Sequence, residues 1–183
     1  MTIIMGLDIG LAHCGIAVLD CVGGPNPHIT LRAAEVCVTE KRAAKVAVST
    51  TEDNIHRMRK LAAVIAAVYA AHSPSLVVTE SQSWPRNAGA TGKIGMAWGA
   101  IVGVLPASTP ILDASPQAIK LAVCKSKSAT KDEVITAVEQ RLGALPKTIK
   151  KADREHAADA CAAVLAAIQY REDVKLWISP NRG

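Results

Sequence analysis

The sequence predicts a mixed α/β domain with a five-stranded sheet flanked by helices. Two observations carry this. Short apolar runs rich in β-branched residues are interleaved with longer stretches of helical periodicity. Three acidic residues, Asp8, Glu80 and Asp159, stand at or just inside the ends of apolar segments that lie far apart in the chain. With 183 residues, the chain suffices for one domain with a full core and is short for two, so 1–183 is expected to form a single domain.

The elements follow in order. Ile3 to Asp8 and Gly15 to Leu19 are β-rich runs joined by a glycine-containing turn, a predicted hairpin. Cys21 to His28 is a Gly/Pro/Asn loop, and Ile29 to Thr39 alternates as a third antiparallel strand. Ser49 with Glu52 forms a capping box that opens a helix running to about His72. Pro74 ends it, and Ser75 to Glu80 has the unbroken apolar character of a buried strand. Ala88 to Leu105 is a helix in which Gly95, Gly99 and Gly103 recur every fourth residue, a stripe suited to core packing or to a subunit interface. Pro110 to Asp113 is a fifth strand. Ser115-Pro116 places a cap and a first-turn proline at the head of the next helix. Thr130 and Glu133 form a second capping box, Pro146 to Arg154 is a basic linker, and His156 to Tyr170 is the last helix. The order is β-β-β-α-β-α-β-α-α-α.

Half of the residues are apolar but only 3% are aromatic, with no Phe. The core is therefore Ala, Val, Ile and Leu, a composition that favours closely packed helices over a branched sheet. Five scattered cysteines without a CxxC pair point to reduced thiols in a cytoplasmic protein; His13 and Cys14 leave a zinc site as a minor alternative. No basic, apolar leader opens the sequence, and no charge-free apolar stretch reaches ~18 residues, so no membrane span is expected. The net charge of +5 comes from Lys120 to Lys151, where eight Lys or Arg face Asp132, Glu133 and Glu139. That segment is a solvated face or a phosphate-binding surface.

A carboxylate at the end of a buried strand is costly to desolvate unless something compensates it. Three that converge repel one another, and a divalent cation is the natural compensator. Paired ions about 3.5–4 Å apart, held this way, cut phosphodiesters. His156 and Asp159, three apart on a helix, share a face, where His156 can ligate an ion or relay a proton. Glu155 is expected to point elsewhere.

The opening GLDIGLAHCGIAVLD resembles the first hairpin of ribonuclease H-like nucleases, whose first strand ends in a metal-binding Asp. The pattern is closer still to the RuvC family of Holliday-junction resolvases: a strand ending in Asp8, a later strand ending in Glu80, and a helix beginning HAADA at His156 to Ala160. SPQAIK followed by Thr130-Lys131 is similar to the family's segment with two DNA-binding lysines, here Lys120 and Lys131. The likeness runs from Met5 to about Ile168. Some members carry Asp where this chain has His156. The family's aromatic wedge after the catalytic Glu falls one position late, at Trp84, and the loop from Cys21 to His28 looks longer than usual.

The resemblance implies a ribonuclease H-like fold and a Mg²⁺-dependent endonuclease that resolves four-way or branched DNA junctions by paired nicks. Asp8, Glu80, His156 and Asp159 would be catalytic and hold two Mg²⁺, with Mn²⁺ as a substitute. Lys120, Lys125, Lys127, Lys131 and Trp84 would contact DNA. A junction has two equivalent strands to cut, so a homodimer is expected, through the glycine stripe or through Leu61 to Ala71. Competing readings are a nuclease of the same fold acting on RNA precursors, a sugar kinase or actin-like ATPase (which needs a second domain), and a junction-binding protein without catalysis.

Overall fold

The computed structural model describes residues 1–24, 26–41, 48–81 and 87–179. Strands β1 (Thr2–Asp8) and β2 (His13–Val22) form the antiparallel hairpin, with Asp8 opposite Gly15. Strand β3 (His28–Val38) pairs antiparallel with β2. After helix α1 (Thr50–His72) the chain returns as β4 (Leu76–Glu80), parallel to β1; helix α2 (Ala88–Val102) leads to β5 (Ile111–Ala114), parallel to β4. The strand order is β3-β2-β1-β4-β5. Helices α3 (Pro116–Cys124), α4 (Lys131–Leu142), α5 (Arg154–Tyr170) and α6 (Glu172–Ile178) complete the described elements.

Strand alternation divides the core into two. Ile4, Ala17, Leu19, Leu76 and Val78 face α3, α4, α5 and α6, whereas Met5, Leu7, Ile16 and Val77 face α1 and α2. The sheet is thus the centre of the molecule, with helices on both faces, as the expected five strands flanked by helices require. The small residues serve another purpose. Helix α5 is buried almost all round, from Ala157 to Ile168. Its alanines and Cys161 let that helix sink onto the strands.

Both capping boxes form. Ser49 and Thr130 accept from the amides of Glu52 and Glu133, whose carboxylates bond back to the cap amides. Other boundaries moved. Strand β2 continues to Val22, so the connection to β3 is shorter than the expected loop. Helix α5 starts at Arg154, inside the expected linker, after a single tight turn at Lys151–Asp153. Helix α6 was not anticipated; it docks through Val174 and Ile178, and Thr2 Oγ1 donates to the Trp177 carbonyl at 2.9 Å.

The two candidate interface segments separate clearly. In α1, Leu61 and Ile65 are buried against α2 and the sheet, and the outward positions are mostly alanine, so this helix spends its apolar face inside the molecule. On α2, an added Cβ at Gly92, Gly95 or Gly99 would meet nothing within 4 Å. The stripe lies open and takes no part in core packing, and Gly103 is the helix cap.

Candidate active site

The site begins with strand register. Leu7 of β1 lies level with Thr79 of β4 in a parallel pair, so the next residues, Asp8 and Glu80, end their strands side by side at the carboxyl edge of the sheet. That edge is where open α/β sheets offer a ligand crevice. Helix α5 crosses over it. Two glycines set the distance: a Cβ on Gly6 would overlap the Ala160 carbonyl oxygen, and one on Gly15 the His156 carbonyl oxygen. With nothing but hydrogen at both positions, the α5 backbone rests directly on β1 and β2. His156 Nδ1 then lies 2.6 Å from Asp8 Oδ2, and Asp159, one turn on, faces the same pocket of charge.

The electrostatics follow from this geometry. Burial raises the proton affinity of Glu80, and the nearby Asp8 raises it further, with Lys120 opposing. Asp159 is pushed up to about 7, first by burial, then by Asp8 and Glu80. The hydrogen bond to Asp8 holds the His156 imidazolium above its ordinary value while burial works against it. Two carboxyl groups, Glu80 and Asp159, whose ionisation a third, Asp8, disfavours, with an imidazole bonded to that third, are a donor set that suits a hard divalent cation. Among the described residues no three His, Cys, Asp or Glu side chains are already drawn into a ligating cluster.

The lysines divide. Lys120 on α3 is close enough to Glu80 to lower its proton affinity. Lys131, at the first turn of α4, bonds Glu155 at 2.7 Å and feels Asp159 and Asp8. Lys125 is the exposed left-handed cap of α3, and Lys127 is exposed on the loop that follows; among the described residues no hydrogen bond or ion pair joins either to the carboxylates. Trp84 lies outside the described residues.

Sequence reasoning misplaced two features. Glu155 does not point away: its Oε1 stands 3.8 Å from His156 Nε2 while its Oε2 binds Lys131. The zinc alternative fails, because neighbours on a strand face opposite sides. Cys14 is packed with Met5 and Leu7, its thiol pushed far up by burial, whereas the His13 ring stacks on His156. Gly6 and Gly15 were also missed; their only signal was a glycine within one strand run and another at the head of the next.

A mixed sheet in this strand order, with acids at the carboxyl ends of β1 and β4 and on a helix laid across them, defines a ribonuclease H-like nuclease scaffold. The chain belongs to the RuvC family: the profile of "Crossover junction endodeoxyribonuclease RuvC" matches residues 4–167. The protein of that description from Granulibacter bethesdensis is 29% identical over 174 residues, covering 94% of this chain and 88% of its own. The one from Natranaerobius thermophilus is 30% identical over 176 residues, covering 95% and 99%. The Thermus thermophilus RuvC structure in complex with Holliday junction substrate superposes with a TM-score of 0.72 at 26% identity, covering 96% of this chain and 98% of that one. Among the described residues, no helix is long and apolar enough to cross a membrane.

Proposed function

We propose that this chain is a metal-dependent endonuclease that resolves four-way DNA junctions by paired symmetric nicks. The observation that carries the reading is the convergence of Asp8, Glu80 and Asp159 with His156 at one sheet edge, in a chain of the RuvC family. The relative solved with Holliday junction substrate supports the choice of DNA.

Asp8, Glu80 and Asp159 would hold two Mg²⁺ ions, with Mn²⁺ as a substitute, and His156 would complete the set. When bound, the ions supply water activation and neutralise charge on the scissile phosphate. The residues do the rest. Asp8 fixes His156 through its Nδ1, leaving Nε2 turned toward Glu155. Lys120 and Lys131 flank the acids on α3 and α4 and hold phosphates on either side, which positions the backbone without reading bases. Lys125, Lys127 and Trp84 extend this contact. The RNA-precursor reading lacks a use for the two flanking lysines, and an inactive binding protein has no reason to keep all three acids.

Two equivalent strands require two sites, and Gly95 and Gly99 of the α2 stripe, open together with Gly92 beside them, support a homodimer there. Work on cellular DNA would place the protein in the cytoplasm. The test offers labelled four-way junction, linear duplex, single-stranded DNA and structured RNA with Mg²⁺. Symmetric nick pairs confined to the junction are expected; cleavage of RNA alone would transfer the assignment to the RNA reading, and binding without cleavage to the inactive one.

A further inference from the structure

We propose that His13, gripped by Asp153 and fixed by the buried contacts beneath its turn, sets the ring plane of His156 and so positions it against Asp8. The inference rests on the reading above that His156 serves the metal site.

An imidazole on a helix has a broad choice of ring orientation about its terminal torsion. Asp8 fixes one edge of His156 through Nδ1 at 2.6 Å. At the other edge Glu155 Oε1 is 3.8 Å from Nε2, beyond hydrogen-bond reach. One hydrogen bond leaves the ring free to swing about it. The constraint on its face comes from His13: the two rings lie 7° from parallel with centroids 5.1 Å apart.

A positioning group must itself be held, and His13 is held from two sides. Its Nε2 stands 3.5 Å from Asp153 Oδ1, on the tight turn that leads into α5. The turn that bears it is fastened from below. The Thr39 amide donates to the Ala12 carbonyl at 2.8 Å, the Thr39 hydroxyl donates to the Leu11 carbonyl, and Arg57 Nε donates to that same hydroxyl at 2.9 Å. Arg57 is only 4% exposed, and a guanidinium is rarely placed so deep unless its bonds are made. These contacts tie β1–β2, β3 and α1 together under the residue that stacks on His156. Partners that orient a metal-site histidine commonly govern affinity as strongly as this arrangement suggests, by tenfold to a hundredfold.

The test compares His13→Leu, which removes the flat ring, with His13→Phe, which keeps it, and with Asp153→Asn. Long-range ¹H–¹⁵N spectra of histidine-labelled, metal-free protein report the His156 ring nitrogens, and Mn²⁺ titration reports the site. His156 should stay sharp in His13→Phe and broaden by exchange in His13→Leu, with Mn²⁺ affinity falling roughly tenfold in the latter and within twofold of the parent in the former. Unaltered His156 line widths in His13→Leu would overturn the inference, and so would a Phe variant as disturbed as the Leu variant. If His13→Leu does not fold, Asp153→Asn decides: broadening supports the grip, and none overturns it. A broadened ring with undiminished Mn²⁺ affinity upholds the positioning and counts instead against His156 as part of the metal site.

Discussion

His156 Nδ1 and Asp8 Oδ2, 148 positions apart in sequence, meet at 2.6 Å. This contact joins the first strand to the last long helix, and it exists because Gly6 and Gly15 let α5 settle onto the sheet. When His156 is protonated it also gives Asp8 a positive partner in direct contact.

The cluster makes metal-free stability depend on pH. Asp159 has its folded value near 7 against about 3.9 unfolded, so between these the native state binds the extra proton and stability falls as pH rises. Glu80 is raised and acts in the same sense. His156 is raised too, so its contribution is present below its unfolded value and lost as pH climbs through the folded one. The melting temperature in chelator should therefore fall from pH 5 to pH 8, by the equivalent of about 2–4 kcal/mol, and Mg²⁺ should restore most of it at pH 8. A flat profile that ignores Mg²⁺ would mean that the three acids do not share one site.

Gly15→Ala places a methyl group on the His156 carbonyl. Neither backbone can yield without shifting α5, so a loss of about 2–3 kcal/mol or more is expected, together with loss of cleavage. Gly6→Ala should behave likewise against Ala160. Chemical denaturation measures the first effect and a junction assay the second.

Lys120→Ala and Lys131→Ala should each weaken junction binding evenly across sequences and reduce the slope of log K against log salt by about 0.9. Titrations at several salt concentrations provide the measurement. Slopes equal to the parent in both would make the basic segment a solvated face.

Gly99→Glu puts a charge on the open stripe of α2 without a clash inside the subunit. The variant should run as a monomer by light scattering, keep Mn²⁺ binding, and lose paired incision. A parent protein that is monomeric while it resolves junctions would remove the need for the stripe.

Much of this arrangement could be read from the chain. Asp8 and Glu80 were visible because each closes a short apolar run, and His156 and Asp159 because three residues make nearly one helical turn. The capping boxes marked the starts of α1 and α4. What escaped depends on contacts between distant residues. Nothing local to Gly15 announces the His156 carbonyl above it, and nothing in the repeat of α2 told an outward stripe from a buried one. Glu155 was misdirected because helical spacing ignores the long reach of its side chain toward Lys131 on another element. Helix α6 is only seven residues long, too short for a periodic signal.

The central claim is that Asp8 belongs to a metal site that cuts junction DNA, and Asp8→Asn tests it most directly. The variant and the parent are incubated with the same labelled four-way junction and Mg²⁺, and binding is followed on the same samples by gel shift. The account predicts that Asp8→Asn binds the junction with near-parent affinity and yields no nicks, whereas the parent yields symmetric pairs. Cleavage by Asp8→Asn at a rate close to that of the parent would contradict it.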